Sequence, residues 1–249
     1  MSLLRVSNLG KNFGSLVAVN DVSFNVEPGE LHAVIGPNGA GKTTVFNLIS
    51  GLMAPTAGKI QFEDMDIHDL PPHRRVQAGI ARTFQITEIF PELTVTENLR
   101  IGVEIAAGYR LRPWLSRGEK ANIREQVQKL IERVGLSTKA GRLVGELSHG
   151  DQRAVEIGLA LSLQPRLLLL DEPTAGMGDQ ETEDVTLLMQ HLHRTEKLTI
   201  VLIEHDMPLV FRLAQRITVL AQGEVLAEGT PAEIAANESV QAAYLGKVE

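Results

Sequence analysis

Gly36-Pro37-Asn38-Gly39-Ala40-Gly41-Lys42-Thr43-Thr44 lies between an apolar pentapeptide, Leu31-His32-Ala33-Val34-Ile35, and a helical pattern from Thr43 to Ser50 that Gly51 ends. Strand, glycine-rich loop and helix, in that order, let backbone N–H groups converge on phosphate oxygens. Glycine matters because no Cβ blocks the approach, and the helix adds the positive end of its dipole. The stretch satisfies G-x-x-x-x-G-K-[ST], which assigns Lys42 to the β- and γ-phosphates of ATP and the Thr43 hydroxyl to Mg²⁺. The competing reading, a glycine-rich turn followed by a surface lysine, does not explain the placement between strand and helix.

Working outward, Leu3 to Leu9 and Val17 to Val26 read as short strands parted by a turn at Lys11-Asn12-Phe13-Gly14. Further strand patterns stand at Lys59 to Phe62, Ile80 to Phe84, Leu167 to Leu170, Thr199 to Ile203 and Ile217 to Leu220, with a helical stretch from Gln180 to His193. Between about Thr96 and Leu163 helix dominates; in Glu119 to Val134 the residues Ile123, Val127, Leu130, Ile131 and Val134 recur at helical spacing, as a core-facing stripe does. Alternating strand and helix predicts a mostly parallel sheet covered on both faces. The expected fold is α/β, a phosphate-loop NTPase core with an N-terminal antiparallel β portion and an inserted helical subdomain. Its core comprises about residues 1–85 and 164–249, and the helical subdomain about 86–163.

Composition bounds the rest. The chain has 249 residues, 43% of them hydrophobic, enough for one sizeable core. Its net charge of −7 argues against a broad grip on nucleic acid. With no cysteine, disulfides and thiolate metal sites are excluded. The N-terminus lacks the basic and apolar regions of a signal peptide, and no stretch approaches the roughly 18 consecutive apolar residues of a membrane span. The expectation is a cytoplasmic protein that reaches a membrane only through a partner.

Two further segments carry chemistry. Leu167-Leu168-Leu169-Leu170-Asp171-Glu172 is an apolar strand ending in adjacent carboxylates, at the strand end where open α/β sheets bind ligands. Asp171 is then expected to hold Mg²⁺ and Glu172 to orient or deprotonate the attacking water. Leu147-Ser148-His149-Gly150-Asp151-Gln152-Arg153 admits two compatible readings: Ser148-x-x-Asp151 is a helix N-terminal box, and a helix N-terminus is also a phosphate site.

Taken in order, the phosphate loop, Phe84-Gln85, LSHGDQR, LLLLDEP and Ile203-Glu204-His205 resemble the nucleotide-binding subunit of ATP-binding-cassette transporters, over essentially the whole chain. The resemblance implies a head-to-tail pair of subunits sandwiching two ATP molecules, each phosphate loop facing the other subunit's LSGGQ-type segment. By position it implies that Phe13 stacks on adenine, where the residue alone would read as core. It implies that Gln85 senses Mg²⁺ and water and couples to the membrane subunit, that His205 contacts the γ-phosphate, and that Ser148, Gly150 and Asp151 meet the partner's ATP. The segment departs from the family pattern at His149 and Asp151. Because a carboxylate would repel a γ-phosphate, Asp151 is expected to point aside or to cap its own helix. Gly178 stands where many members carry an Asp that couples the two sites. Hydrolysis is still expected, since Lys42, Asp171, Glu172 and His205 are intact.

Arg82-Thr83-Phe84-Gln85, Leu93 to Asn98, the stretch from Glu104 to Lys120, Ala175-Gly176-Met177 and Ala243-Tyr244-Leu245-Gly246 are similar to ATPases of branched-chain amino-acid uptake systems, with urea and short-amide importers close by. That implies integral membrane permease subunits, a second ATPase subunit and, indirectly, a periplasmic solute-binding protein as partners. Tyr109 to Trp114, with the only Trp and a local basic cluster, is expected near the permease. The rivals are a soluble cassette ATPase of cofactor assembly and a nucleotide-binding regulator without turnover.

Overall fold

The computed structural model describes residues 2–83, 89–109 and 114–245. In chain order it runs β1 (Leu4–Phe13), β2 (Leu16–Val26), β3 (Leu31–Ile35), α1 (Lys42–Ser50), β4 (Ala57–Phe62), β5 (Met65–Asp66), α2 (Pro72–Ala78) and β6 (Ile80–Arg82). The helices α3 (Val95–Ala106), α4 (Arg117–Arg133) and α5 (His149–Ser162) follow. The chain then returns to the sheet through β7 (Leu167–Asp171), α6 (Asp179–Glu196), β8 (Thr199–Ile203), α7 (Met207–Leu213), β9 (Arg216–Ala221) and β10 (Glu224–Gly229), and ends in α8 (Pro231–Ala235) and α9 (Glu238–Leu245).

Six strands form the central sheet in the order β10-β9-β3-β8-β7-β6. The five from β9 to β6 are parallel, and β10 adds an antiparallel edge. The second sheet, β2-β1-β4-β5, is antiparallel throughout. The central strands β3, β7 and β8 are buried at every residue, which is why they read as unbroken apolar runs rather than as alternation.

Period-two geometry then divides their side chains between two cores. Ala33, Leu168, Leu170, Ile200 and Leu202 face helices α3 to α7, whereas Val34, Leu167, Leu169, Val201 and Ile203 face α1 and the antiparallel sheet. One face is thus covered by helices and the other largely by strands. The helical stripe predicted on α4 is core: Ile123, Val127, Leu130, Ile131 and Val134 share one apolar cluster with the sheet residues.

Two expectations need correction. The turn expected at Lys11 to Gly14 lies later, because β1 continues through Phe13 and the chain reverses at Gly14, where φ is +60°. Register shifts between Val6 and Asn12 break the alternation on which the shorter strand was read. The strand expected over Ile80 to Phe84 is described only as Ile80–Arg82; Phe84 lies outside the described residues.

Candidate nucleotide site

Parallel topology brings the C-terminal ends of β3, β8, β7 and β6 to one edge. From that edge project the 36–41 loop, the Glu204-His205 turn, Asp171-Glu172 and Arg82, in spatial order. The sequence scatters these groups across 170 positions; the sheet assembles them.

The loop is built by backbone conformation. Gly36, Gly39 and Gly41 adopt φ of +151°, +79° and +98°. A Cβ on Gly36 would lie 2.1 Å from the Leu220 carbonyl oxygen, and one on Gly41 would lie 2.6 Å from that of Ala18. Glycine is required at both by strand packing as well as by φ. Beside Gly39 the space is open, and Asn38 and Gly39 form an exposed rim around buried Ala40. Gly41 is the N-cap of α1, and among the described residues no side chain caps this helix. Its first N–H groups therefore remain available to an anion.

The Lys42 ammonium spans the loop, donating to the carbonyls of Gly36 (2.7 Å) and Pro37 (3.0 Å). Burial holds its pKa below the ordinary lysine value, opposed by the negative charges of Glu172 and Asp171. Asp171 and Glu172 are thus the negative charges that act on the loop lysine.

Thr43 is exposed at the start of α1. Asp171 is buried, and its Oδ2 accepts from Arg82 Nη2 at 2.8 Å. A hydroxyl and a carboxylate are hard oxygen donors of the kind Mg²⁺ takes while keeping its remaining positions for water and phosphate, so the donor set fits that ion. Gln85 lies outside the described residues.

Glu172 sits in the left-handed region, with φ of +44°, and donates its backbone N–H to the Ile203 carbonyl at 2.9 Å. This uncommon conformation sets its carboxylate against the next turn, where Oε1 lies 2.7 Å from His205 Nε2. Because an ionised carboxylate only accepts, Nε2 carries the proton in this pair.

The two turns are locked by Glu204, which the sequence reading passed over. Its buried carboxylate accepts from the Thr174 N–H (3.0 Å), the Thr174 hydroxyl (2.6 Å) and the His205 N–H (3.0 Å). Arg153 and Arg82 were also missed. Arg153, in the LSHGDQR segment, donates to the Asp171 carbonyl at 2.9 Å and so ties α5 to β7. Arg82 joins Asp171 to Asn47 (2.7 Å) and Ser50 (3.1 Å) on α1. Only pairing across strands reveals these roles.

Ser148 caps α5 by accepting from the Asp151 N–H at 3.3 Å. The Asp151 side chain does not cap; it points aside, and Lys139 Nζ donates to both its oxygens, at 2.8 and 2.6 Å. Ser148, Gly150 and Asp151 line a cavity of about 500 Å³ with Lys139 and Asp184, and none of the loop residues 36–44 shares it. Within this single chain that cavity and the 36–44 loop are therefore separate.

Phe13 is 45% exposed at the end of the β1–β2 hairpin, with Lys11 Nζ 5.3 Å from its ring centroid. The core reading is excluded. Ala18 of the same hairpin packs against Gly41, which brings this end of the antiparallel sheet to the phosphate loop. Trp114 is 88% exposed, and Arg110 to Pro113 lie outside the described residues. Among the described residues no helix is long and apolar enough to cross a membrane.

Residues 19–175 match the model of the ABC transporter family, and residues 224–249 match that of the branched-chain amino acid ATP-binding cassette transporter. The chain is 41% identical to the high-affinity branched-chain amino acid transport ATP-binding protein BraF of Pseudomonas aeruginosa, over 98% of each. Among solved structures it is similar to the ADP conformation of the ATP-binding cassette MJ1267, with a TM-score of 0.86 and 33% identity over 99% of this chain and all of that one. It also resembles a dimeric post-hydrolysis cassette, MJ0796 bound to ADP and Pi, with a TM-score of 0.75 and 27% identity over 92% of this chain and 98% of that one. Phosphate loop, strand-end carboxylates, capped LSHGDQR helix and whole-length similarity agree: the chain belongs to the ABC transporter family, as an ATP-binding cassette ATPase.

Proposed function

We propose that this chain is the ATP-hydrolysing subunit of an importer for branched-chain amino acids, bound at the cytoplasmic face of the membrane through permease subunits. The observation that carries the reading is the convergence of Lys42, Asp171, Glu172 and His205 on one sheet edge, in a chain whose C-terminal segment carries the branched-chain signature.

In this reading the loop N–H groups and Lys42 hold the β- and γ-phosphates, and Phe13 takes the adenine. Thr43, Asp171 and Gln85 hold Mg²⁺, which neutralises phosphate charge when bound. Glu172 accepts a proton from the attacking water as its oxygen bonds to the γ-phosphorus and ADP leaves. His205 keeps the Glu172 carboxylate oriented through its Nε2 proton and lies beside the γ-phosphate. The second half of each site, Ser148 to Asp151, comes from another ATPase subunit, in keeping with the separate cavity those residues line. Residues 86–163 serve as the helical subdomain that carries this half, and about 1–85 with 164–249 serve as the nucleotide core.

A groove of about 360 Å³ suits the permease. Leu52, Phe90 and Ile105 line it, each about half exposed. In reconstituted vesicles with permease and binding protein, leucine should stimulate ATP hydrolysis and be taken up, and urea should do neither. Glu172→Gln should abolish turnover and retain ATP. Urea uptake without leucine uptake would overturn the cargo assignment, and turnover surviving in Glu172→Gln would overturn the chemistry.

A further inference from the structure

The LSHGDQR segment contains an electrostatic problem and, in the structure, a specific answer to it. Asp151 lies in the first turn of α5, the helix end that Ser148 caps. Glu181 already approaches the Gly150 N–H, 3.5 Å from its Oε1. A free Asp151 carboxylate would place a second negative charge on a helix end that has to receive a phosphate.

Lys139 grips both oxygens of that carboxylate, at 2.8 and 2.6 Å, and the Asp151 side chain is only 18% exposed. The lysine does not hang from a free loop. The turn that carries it is pinned to the start of α3: the Ala140 carbonyl accepts from the Thr96 N–H (3.0 Å) and hydroxyl (2.8 Å), and the Arg142 carbonyl accepts from the Val95 N–H (3.1 Å). With its backbone fixed, the Lys139 ammonium holds Asp151 in a partly buried ion pair.

We propose that Lys139 is a positioning residue for the composite ATP site, holding the Asp151 carboxylate aside and neutralised so that Ser148 and Gly150 can receive the phosphate bound by a second copy. The inference rests on the reading above that this segment meets the other subunit's ATP. A plain surface ion pair would contribute little and would act on folding alone. A positioning pair acts on ATP-driven pairing of two copies, and removing the carboxylate makes the lysine dispensable.

The test uses the full chain carrying Glu172→Gln, which slows hydrolysis, with ATP-dependent dimerisation followed by light scattering. Adding Lys139→Met should weaken dimerisation about tenfold or more, the scale of one uncompensated charge near a phosphate at intermediate dielectric. Lys139→Arg should retain it, and Lys139→Met combined with Asp151→Asn should return to within about threefold of the parent. Melting temperature and ATP binding by the monomer are measured on each variant.

The proposal is overturned if Lys139→Met dimerises like the parent, if the double variant stays as weak as Lys139→Met, or if melting and monomer ATP binding fall in step with dimerisation. Failure of the composite-site reading looks different: the Glu172→Gln parent itself would bind ATP and stay monomeric both alone and with the other ATPase subunit of its transporter, and both inferences would fall together.

Discussion

Arg82 is the residue whose loss should reveal most about how the site is held. Its side chain and that of Asp171 are 7% and 2% exposed, with Nη2 2.8 Å from Oδ2. The same guanidinium donates to Asn47 and Ser50 on the helix that follows the phosphate loop. Arg82→Met keeps much of the volume and removes the charge, which leaves the Asp171 carboxylate buried without its cation. Breaking a buried pair from one side costs about 3–5 kcal/mol, mostly the penalty of the stranded charge. For a chain of this size that corresponds to a fall in melting temperature of about 10 °C. Calorimetry or dichroism in EDTA should show it. Arg82→Met with Asp171→Asn should recover most of the loss, since neither charge then remains. Mg²⁺ with nucleotide should rescue the single variant more than nucleotide in EDTA does, because a cation returns beside Asp171. A single variant melting within about 2 °C of wild type in EDTA would refute the reasoning.

Other outcomes follow from the same coordinates. Gly36→Ala should reduce ATP affinity by more than tenfold in titration calorimetry, because its Cβ would lie 2.1 Å from the Leu220 carbonyl oxygen and the loop must move. Arg75→Met should destabilise by about 3–5 kcal/mol in urea unfolding, because this buried guanidinium serves the carbonyls of Leu48, Ile49, His68 and Leu70. Ile105→Glu should abolish co-purification with the permease and leave ATP binding intact. Tyr244 should make stability depend on pH only in alkali. Burial, partly offset by a hydrogen bond with the Gly36 backbone, pushes its phenol up to about 12 from an ordinary value of 10. A raised pKa means that its contribution is complete below pH 10 and lost as pH rises towards 12, by at most about 3 kcal/mol. Alkaline titration of stability should therefore be shallower in Tyr244→Phe.

Much of this arrangement was legible before any coordinates, for physical reasons. β3, β7 and β8 are buried on both faces and so appear as short apolar runs, and the phosphate loop needs glycine where φ is positive and backbones touch. Those constraints act on neighbours in sequence. The β1–β2 hairpin was legible only in part, because bulges near Asn8 and Lys11 upset the alternation that marks a strand. The edge strand β10 has only one buried residue, Gly229, and so shows no apolar run. Short helices such as α7 and α8 offer too few turns for periodicity to register.

The residues that escaped the sequence reading are those that act between elements. Glu204 has no role assigned in the sequence beyond its place in Ile203-Glu204-His205, yet its carboxylate fastens the turn bearing Glu172 to the turn bearing His205. Arg153 has no role assigned in the sequence, yet it holds the β7 backbone at Asp171 and pairs with Glu156. Arg82 reads from the sequence as one residue within the Ile80 to Phe84 strand, yet it links β7 to α1. Each also binds a group on a different element, at Thr174, Asp171 or Asn47, and so places a buried charge where displacement of one element strands it. A shift of α5 relative to β7 therefore cannot occur without disturbing Arg153, nor a shift of the 172–174 turn without disturbing Glu204. The sequence motifs supply groups that can meet ATP; these cross-links make a displacement at one motif felt at the next, because no element can move without disturbing a buried charge.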